Sequence, residues 1–194
     1  MTSTHTVIGL IGRKGSGKDT GATVLLEKGY RNVKLADPLK IMLRSLLQYQ
    51  GVDGETIERM IEGDLKEIPT PYLGGNTPRR AMQTLGTEWG RACMGEDFWA
   101  SMVVPVAFKQ DSVITDVRFP NEVDAIITTG GEVYGITADW IKPTPGEHVS
   151  EAKIDSIIAS LPSDRVVQNS RFEGCDPNTS ISAFKARFAQ TVRG

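Results

Sequence analysis

The chain opens on a run of apolar, β-favouring positions, residues 6–11, which stops at a cluster of glycines. Behind it the apolar positions fall at helical spacing. Ala22, Leu25 and Leu26 mark the buried side of a helix over 18–28, and Gly29 ends it. A second apolar stretch, 32–35, reads as a short strand leading to Asp37-Pro38, where Pro38 suits the first turn of a helix reaching residue 50. Residues 51–53 break the pattern, 55–62 form a short polar helix, and 68–76, rich in proline and glycine, form a loop. Helices are predicted over 77–94 and 97–109, then a buried strand over 112–116 and a helix from Pro120 to residue 129. Strands at 132–137 and 165–168 flank a helix over 150–160, and a helix over 182–192 closes the pattern.

Strands that alternate with helices predict an α/β fold: a mostly parallel five-stranded sheet covered on both faces, α/β/α in three layers. Right-handed crossovers leave such a sheet open. The helical stretch 38–110 interrupts the alternation and reads as an insertion within a single domain spanning 1–194.

Composition narrows the chemistry only slightly. A formal net charge of −2 supplies no basic face for a nucleic-acid polymer. The two cysteines, Cys93 and Cys175, have no metal-ligand or CxxC spacing and read as reduced thiols. No apolar run approaches the roughly 18 residues that span a bilayer. The short polar start has no signal-peptide pattern, so the expectation is a cytoplasmic protein with no membrane partner, a monomer or homodimer.

The sharpest local signal is Gly12-Arg13-Lys14-Gly15-Ser16-Gly17-Lys18-Asp19-Thr20. It matches GxxxxGK between a predicted strand and a predicted helix, the context in which backbone N–H groups converge on phosphate oxygens. Gly12, Gly15, Ser16 and Gly17 supply the turn, and Lys18 reaches the outer phosphates of a nucleotide such as ATP. The usual hydroxyl after the lysine is replaced by Asp19, with Thr20 one step on. A carboxylate there can hold Mg²⁺ directly or through water. Asp116, at the carboxyl end of the strand 112–116, is a second candidate for Mg²⁺, because ligands of open parallel sheets sit beyond that edge. Arg118 follows it and is a candidate for stabilising charge on a transferring group, although an Asp116–Arg118 ion pair would use the same residues.

On the wheel of the helix 77–94, Ala81, Met82, Leu85, Trp89, Ala92 and Cys93 share an apolar face. Arg79, Arg80, Gln83, Thr87 and Arg91 lie opposite, beside Gly86 and Gly90. Guanidinium forks bind phosphate at two points, while the plainer reading is a solvated basic face. Two glycines inside one helix imply a close approach by a ligand or another backbone.

ADPLK (36–40), TPRRAMQTLGTEWGR (77–91), DFW (97–99), DVRFPNE (116–122), HVSE (148–151) and the loop ending GKDT together resemble the phage-type deoxynucleoside monophosphate kinases. The matches are spread over residues 8–151. The resemblance implies the three-layer P-loop nucleoside monophosphate kinase fold, with ATP and Mg²⁺ as cofactors and a deoxynucleoside monophosphate as acceptor. It implies that Asp37, Lys40, Arg79, Gln83, Thr87, Glu88 and Arg91 line the acceptor site, with Trp99 near the base and Arg118 on the phosphates. It also implies that residues 169–174, starting with Asn169, border the adenine of ATP, and that Asp19 is a shared feature. The family's mobile lid is short here and is expected near 140–148. His148, at a helix start, reads as a capping or surface residue, since transfer between phosphates needs no general base.

The expected reaction is direct in-line transfer from ATP to a deoxynucleoside monophosphate, with Lys18, Mg²⁺ and Arg118 neutralising the transferring group. Two rivals remain: another P-loop small-molecule kinase, and a nucleotide-gated binding protein without phosphotransfer.

Overall fold

The computed structural model describes residues 5–141, 153–170 and 176–192. The chain divides into two compact units, Met1–Lys34 with Ala100–Gly194, and Leu35–Trp99.

The first unit is built on five strands, β1 (Val7–Ile11), β2 (Arg31–Val33), β3 (Ser112–Val117), β4 (Glu132–Ala138) and β5 (Val166–Asn169). They lie in the order β2-β3-β1-β4-β5 and every pairing is parallel. All five residues of β1 are buried, as a central parallel strand covered on both faces requires. Ile8, Leu10, Tyr134 and Ile136 share a cluster with Ala22 and Leu25 of α1 (Lys18–Glu27). Phe184 and Phe188 of the closing helix, Pro177–Thr191, complete that cluster.

The opposite face is covered by α6 (Pro120–Thr128) and α7 (Ile154–Ser160). Ile126 packs where Gly9 has no side chain, and Ile158 packs over Gly135. The closing helix is α8. The three layers follow from this alternation of faces along β1 and β4.

The second unit has its own core. Leu39, Leu43 and Leu47 of α2 (Asp37–Tyr49) pack with Ile57, Met60 and Ile61 of α3 (Gly54–Ile61). Met82 of α4 (Pro78–Gln83) and Trp99, near the start of α5 (Phe98–Ala107), complete it. Asp53 caps α3, accepting from the Thr56 N–H at 2.9 Å, and Thr77 caps α4 through the Arg80 N–H at 3.1 Å. The unit boundary falls inside α5, after Trp99, so the helical unit is narrower than the expected insertion over 38–110.

Two elements differ from the sequence expectation. The helix over 77–94 is not uniform: after Gln83 the chain widens into π-helical winding over Thr84–Met94. A wider turn advances each residue by less than the roughly 100° of an α-helix, so an apolar stripe drawn at that period drifts off the buried side. Met82 is buried and Leu85 and Trp89 half-buried, but Ala92 and Cys93, expected on the same face, are exposed. The last helix starts earlier than 182, at Pro177, which takes the first helical position.

Candidate functional site

The glycine loop joins β1 to α1 at the carboxyl edge of the sheet, with β3 and β4 on either side of β1. Gly15 and Gly17 have φ of +82° and +97°, a region other residues rarely enter. Gly12 is held by space: a Cβ there would stand 2.5 Å from Ser16 Oγ and 2.7 Å from the Ile136 carbonyl. The loop closes on itself through Ser16 N–H to the Arg13 carbonyl at 3.0 Å. Among the described residues, the Gly15 and Gly17 N–H groups carry no hydrogen bond. Ser16 Oγ is buried and also without a partner. Unspent N–H groups ahead of a helix N-terminus form a concavity suited to an anion. Lys18 and Thr20 are half-buried at the start of α1, and Asp19 is exposed.

Two side chains brace this loop. The Arg13 guanidinium forks onto the Asp155 carboxylate of α7, at 2.9 Å and 2.8 Å. That contact holds the Asp155 carboxyl below the usual carboxylate range. From the end of β5, Asn169 Nδ2 donates to the Ser16 carbonyl at 2.9 Å.

Asp116 stands at the same edge on a bulge. Gly9 pairs with Ile114 but Ile11 with Val117, so β3 carries one more residue than β1 across this interval. Such a bulge re-aims side chains at the end of a strand. Just beyond, the buried carboxylate of Glu122 accepts from the N–H groups of Arg118 and Phe119, at 2.7 Å and 3.0 Å. Arg118, half-buried, thus leaves the strand on a pinned backbone. Among the described residues no group of three or more His, Cys, Asp or Glu gathers for a metal. The carboxylates of Asp19 and Asp116 are the oxygen donors Mg²⁺ favours, since that ion takes one or two carboxylates and completes its shell with water and substrate phosphates.

In the helical unit, Asp37 opens α2 and Lys40 is buried there, with its Nζ 2.7 Å from Glu62 Oε1. Arg79, exposed on α4, pairs with Glu67. Lys66 lies close to both basic residues. Burial first, then the charges of Arg79 and Lys40, push its ammonium below the ordinary lysine value. Gln83, Thr87 and Glu88 are exposed, and Arg91 is half-buried.

Trp99 is a core residue. It is 5% exposed, its indole N–H donates to the Gly86 carbonyl at 2.8 Å, and its ring packs against Phe98 and Trp89 at 4.9 Å and 5.9 Å between centroids. It also accounts for Gly90, whose Cβ would fall 2.2 Å from Trp99 Nε1. Gly90 thus admits a side chain of its own unit, whereas a Cβ on Gly86 would meet only Leu39 Cδ2, at 3.4 Å, among the described residues.

Residues 12–20, Asp116, Arg118 and Asn169 lie in the sheet unit, and Asp37, Lys40, Arg79, Gln83, Thr87, Glu88, Arg91 and Trp99 in the helical unit. The expected lid lies almost wholly, and His148 and residues 171–174 entirely, outside the described residues. Glu122, Asp155 and Lys66 were not singled out from sequence. Glu122 had a local signal, a carboxylate at the third position of a helix opened by Pro120; Asp155 and Lys66 had none, because their partners are distant or separately charged.

No family model matches the chain. An Acanthamoeba polyphaga mimivirus protein described as a deoxynucleotide monophosphate kinase is 31% identical over 168 residues, covering 78% of this chain and 83% of its own. The deoxynucleoside-5'-monophosphate kinase of Escherichia phage T5 is 41% identical over 56 residues, 27% of this chain and 22% of the phage protein. A solved structure from Thermus thermophilus, TT1252, aligns over 97% of this chain and 99% of its own with a TM-score of 0.42 and 19% identity, a likeness too slight to carry an argument. With the mimivirus protein matched along most of both chains, this protein belongs to the deoxynucleotide monophosphate kinases.

Proposed function

We propose that this kinase uses ATP as donor and transfers its terminal phosphoryl group directly and in line to a deoxynucleoside monophosphate. The observation that carries the donor half is the glycine loop, with a Gly12 that has no room for a Cβ and with unspent N–H groups at Gly15 and Gly17. These suit a polyphosphate bound against the N-terminus of α1. Lys18 is the residue of this loop that neutralises charge on the transferring group, and Arg118 assists it. When bound, Mg²⁺ supplies charge neutralisation of the donor phosphates, and Asp19 and Asp116 are the residues that would hold it.

The acceptor half is assigned to the helical unit. Arg79 and Arg91 carry the acceptor phosphate, and Asp37, Lys40, Gln83, Thr87 and Glu88 orient the nucleoside. Trp99, sealed in the core, supports the arginine helix and does not stack on a base. No covalent enzyme intermediate and no general base is needed, because a phosphate oxygen of the acceptor is itself the nucleophile.

The test is ADP production from ATP and Mg²⁺ with each deoxynucleoside monophosphate and its ribo counterpart. Acceptor-dependent ADP from at least one deoxy form is the expected result. A folded protein that binds ATP but turns over none of them would sink the ATP-to-monophosphate assignment.

A further inference from the structure

Asn169 hydrogen-bonds the glycine loop through its Nδ2, which donates to the Ser16 carbonyl at 2.9 Å. That oxygen belongs to the peptide joining Ser16 to Gly17. In a trans peptide the C=O and N–H point opposite ways, and the described chain contains no cis peptide. Anchoring the oxygen on one side therefore aims the Gly17 N–H to the other. The anchor matters because one of the two torsions that turn this peptide is the φ of Gly17, at +97°. Glycine imposes little steric barrier, so without a tether the plane can rotate and take its N–H away from the cradle. Gly17 also makes the approach possible: a Cβ on it would lie 2.3 Å from Asn169 Nδ2.

We propose that Asn169 is a positioning residue that locks the Ser16–Gly17 peptide so that the Gly17 N–H is held ready for the donor's phosphates. This rests on reading residues 12–20 as the phosphate cradle. It departs from the adenine-bordering role that the family resemblance implied for Asn169. The side chain acts through the loop backbone, so its effect scales with the phosphates bound and not with the base.

The isosteric Asn169→Asp tests this, because a carboxylate cannot donate and instead opposes the carbonyl oxygen. By calorimetry at neutral pH, ATP affinity should fall about tenfold, a lost charge-sensitive hydrogen bond, with ADP affected less and AMP nearly unchanged. Asn169→Ala, which removes the donor without adding charge, should lose about fivefold on the same nucleotide gradient. Protonating the aspartate restores an O–H donor. ATP affinity of Asn169→Asp, taken as a ratio to the wild type at each pH, should therefore recover as pH falls toward the carboxyl range. Recovery should begin above the ordinary value of about 4, because the neighbouring carbonyl disfavours the charged form. Asn169→Ala should show no such recovery, which a purely structural defect would not distinguish.

Equal losses for ATP, ADP and AMP would assign Asn169 to the base and overturn the proposal, as would unchanged ATP affinity in both variants. ATP binding indifferent to Lys18→Ala would instead remove the cradle reading itself, and the proposal with it.

Discussion

At the scale of the residue, the loop glycines are not interchangeable. Gly12 faces Ser16 Oγ and the Ile136 carbonyl at distances no Cβ tolerates, whereas among the described residues a Cβ on Gly15 would meet only Ile141 Cδ1, at 3.8 Å. Gly12→Ala must displace backbone and should cost about 1–3 kcal/mol in urea unfolding, with loss of ATP binding. Gly15→Ala meets only the strain of its positive φ, about 1 kcal/mol. Equal stability of the two variants would remove the steric account.

Asp155 gives a pH signature. Its carboxyl is held low by the Arg13 guanidinium, so the contact adds stability above the unfolded carboxyl value near 4 and loses it as pH falls through the folded one. The Asp155 side chain is 56% exposed, so solvent screening limits the pair to about 0.5 kcal/mol. Asp155→Asn should therefore be slightly less stable than wild type at pH 7 and indistinguishable from it at about pH 3. A gap that persists in acid would mean that packing, and not charge, ties Arg13 to α7.

At the scale of the element, the helix of Thr77, Arg79 and Arg91 shows two demands in conflict. Its sequence reads as one amphipathic α-helix, yet it widens over Thr84–Met94. Gly86 presents its carbonyl to Trp99, and Gly90 lies flat against the indole. Helix propensity alone says that Gly90→Ala should stabilise by about 1 kcal/mol. The clash at 2.2 Å with a buried ring reverses the sign, and a net loss of about 1–3 kcal/mol is expected in chemical denaturation. A more stable Gly90→Ala would show that the ring yields. The same contact explains why Trp99 could not be placed from sequence: a tryptophan near a helix start carries no mark of which carbonyl will accept its N–H. Glu122 shows the opposite case, a local cap whose spacing was readable but whose consequence, a pinned Arg118, needed the strand end beside it.

At the scale of the molecule, ligand linkage offers a check on the donor assignment. A ligand that binds only the folded state stabilises it by about 2.7 kcal/mol at a hundredfold excess over its dissociation constant. ATP should raise the melting temperature of the wild type, and Lys18→Ala should keep the unliganded melting temperature while losing most of the ATP-induced rise. An equal rise in both proteins would take Lys18 out of the donor contacts.

The chain's linear pattern determined where its strands and most of its helices lie, the parallel α/β class and the position of the glycine loop at the carboxyl end of the first strand. These are local matters: period, caps, glycines and prolines act within a few residues, and a strand followed by GxxxxGK and a helix carries its own geometry. The family was legible for the same reason, since its motifs are short runs. Tertiary structure decided what depends on partners distant in the chain. It drew Asn169 onto Ser16 and Asp155 onto Arg13, sealed Trp99 against Gly86 and Gly90, and turned Ala92 and Cys93 outward. A hydrogen bond between residues more than a hundred positions apart leaves no periodicity behind. It exists only once the sheet has set β5 and α7 beside the loop that β1 delivers.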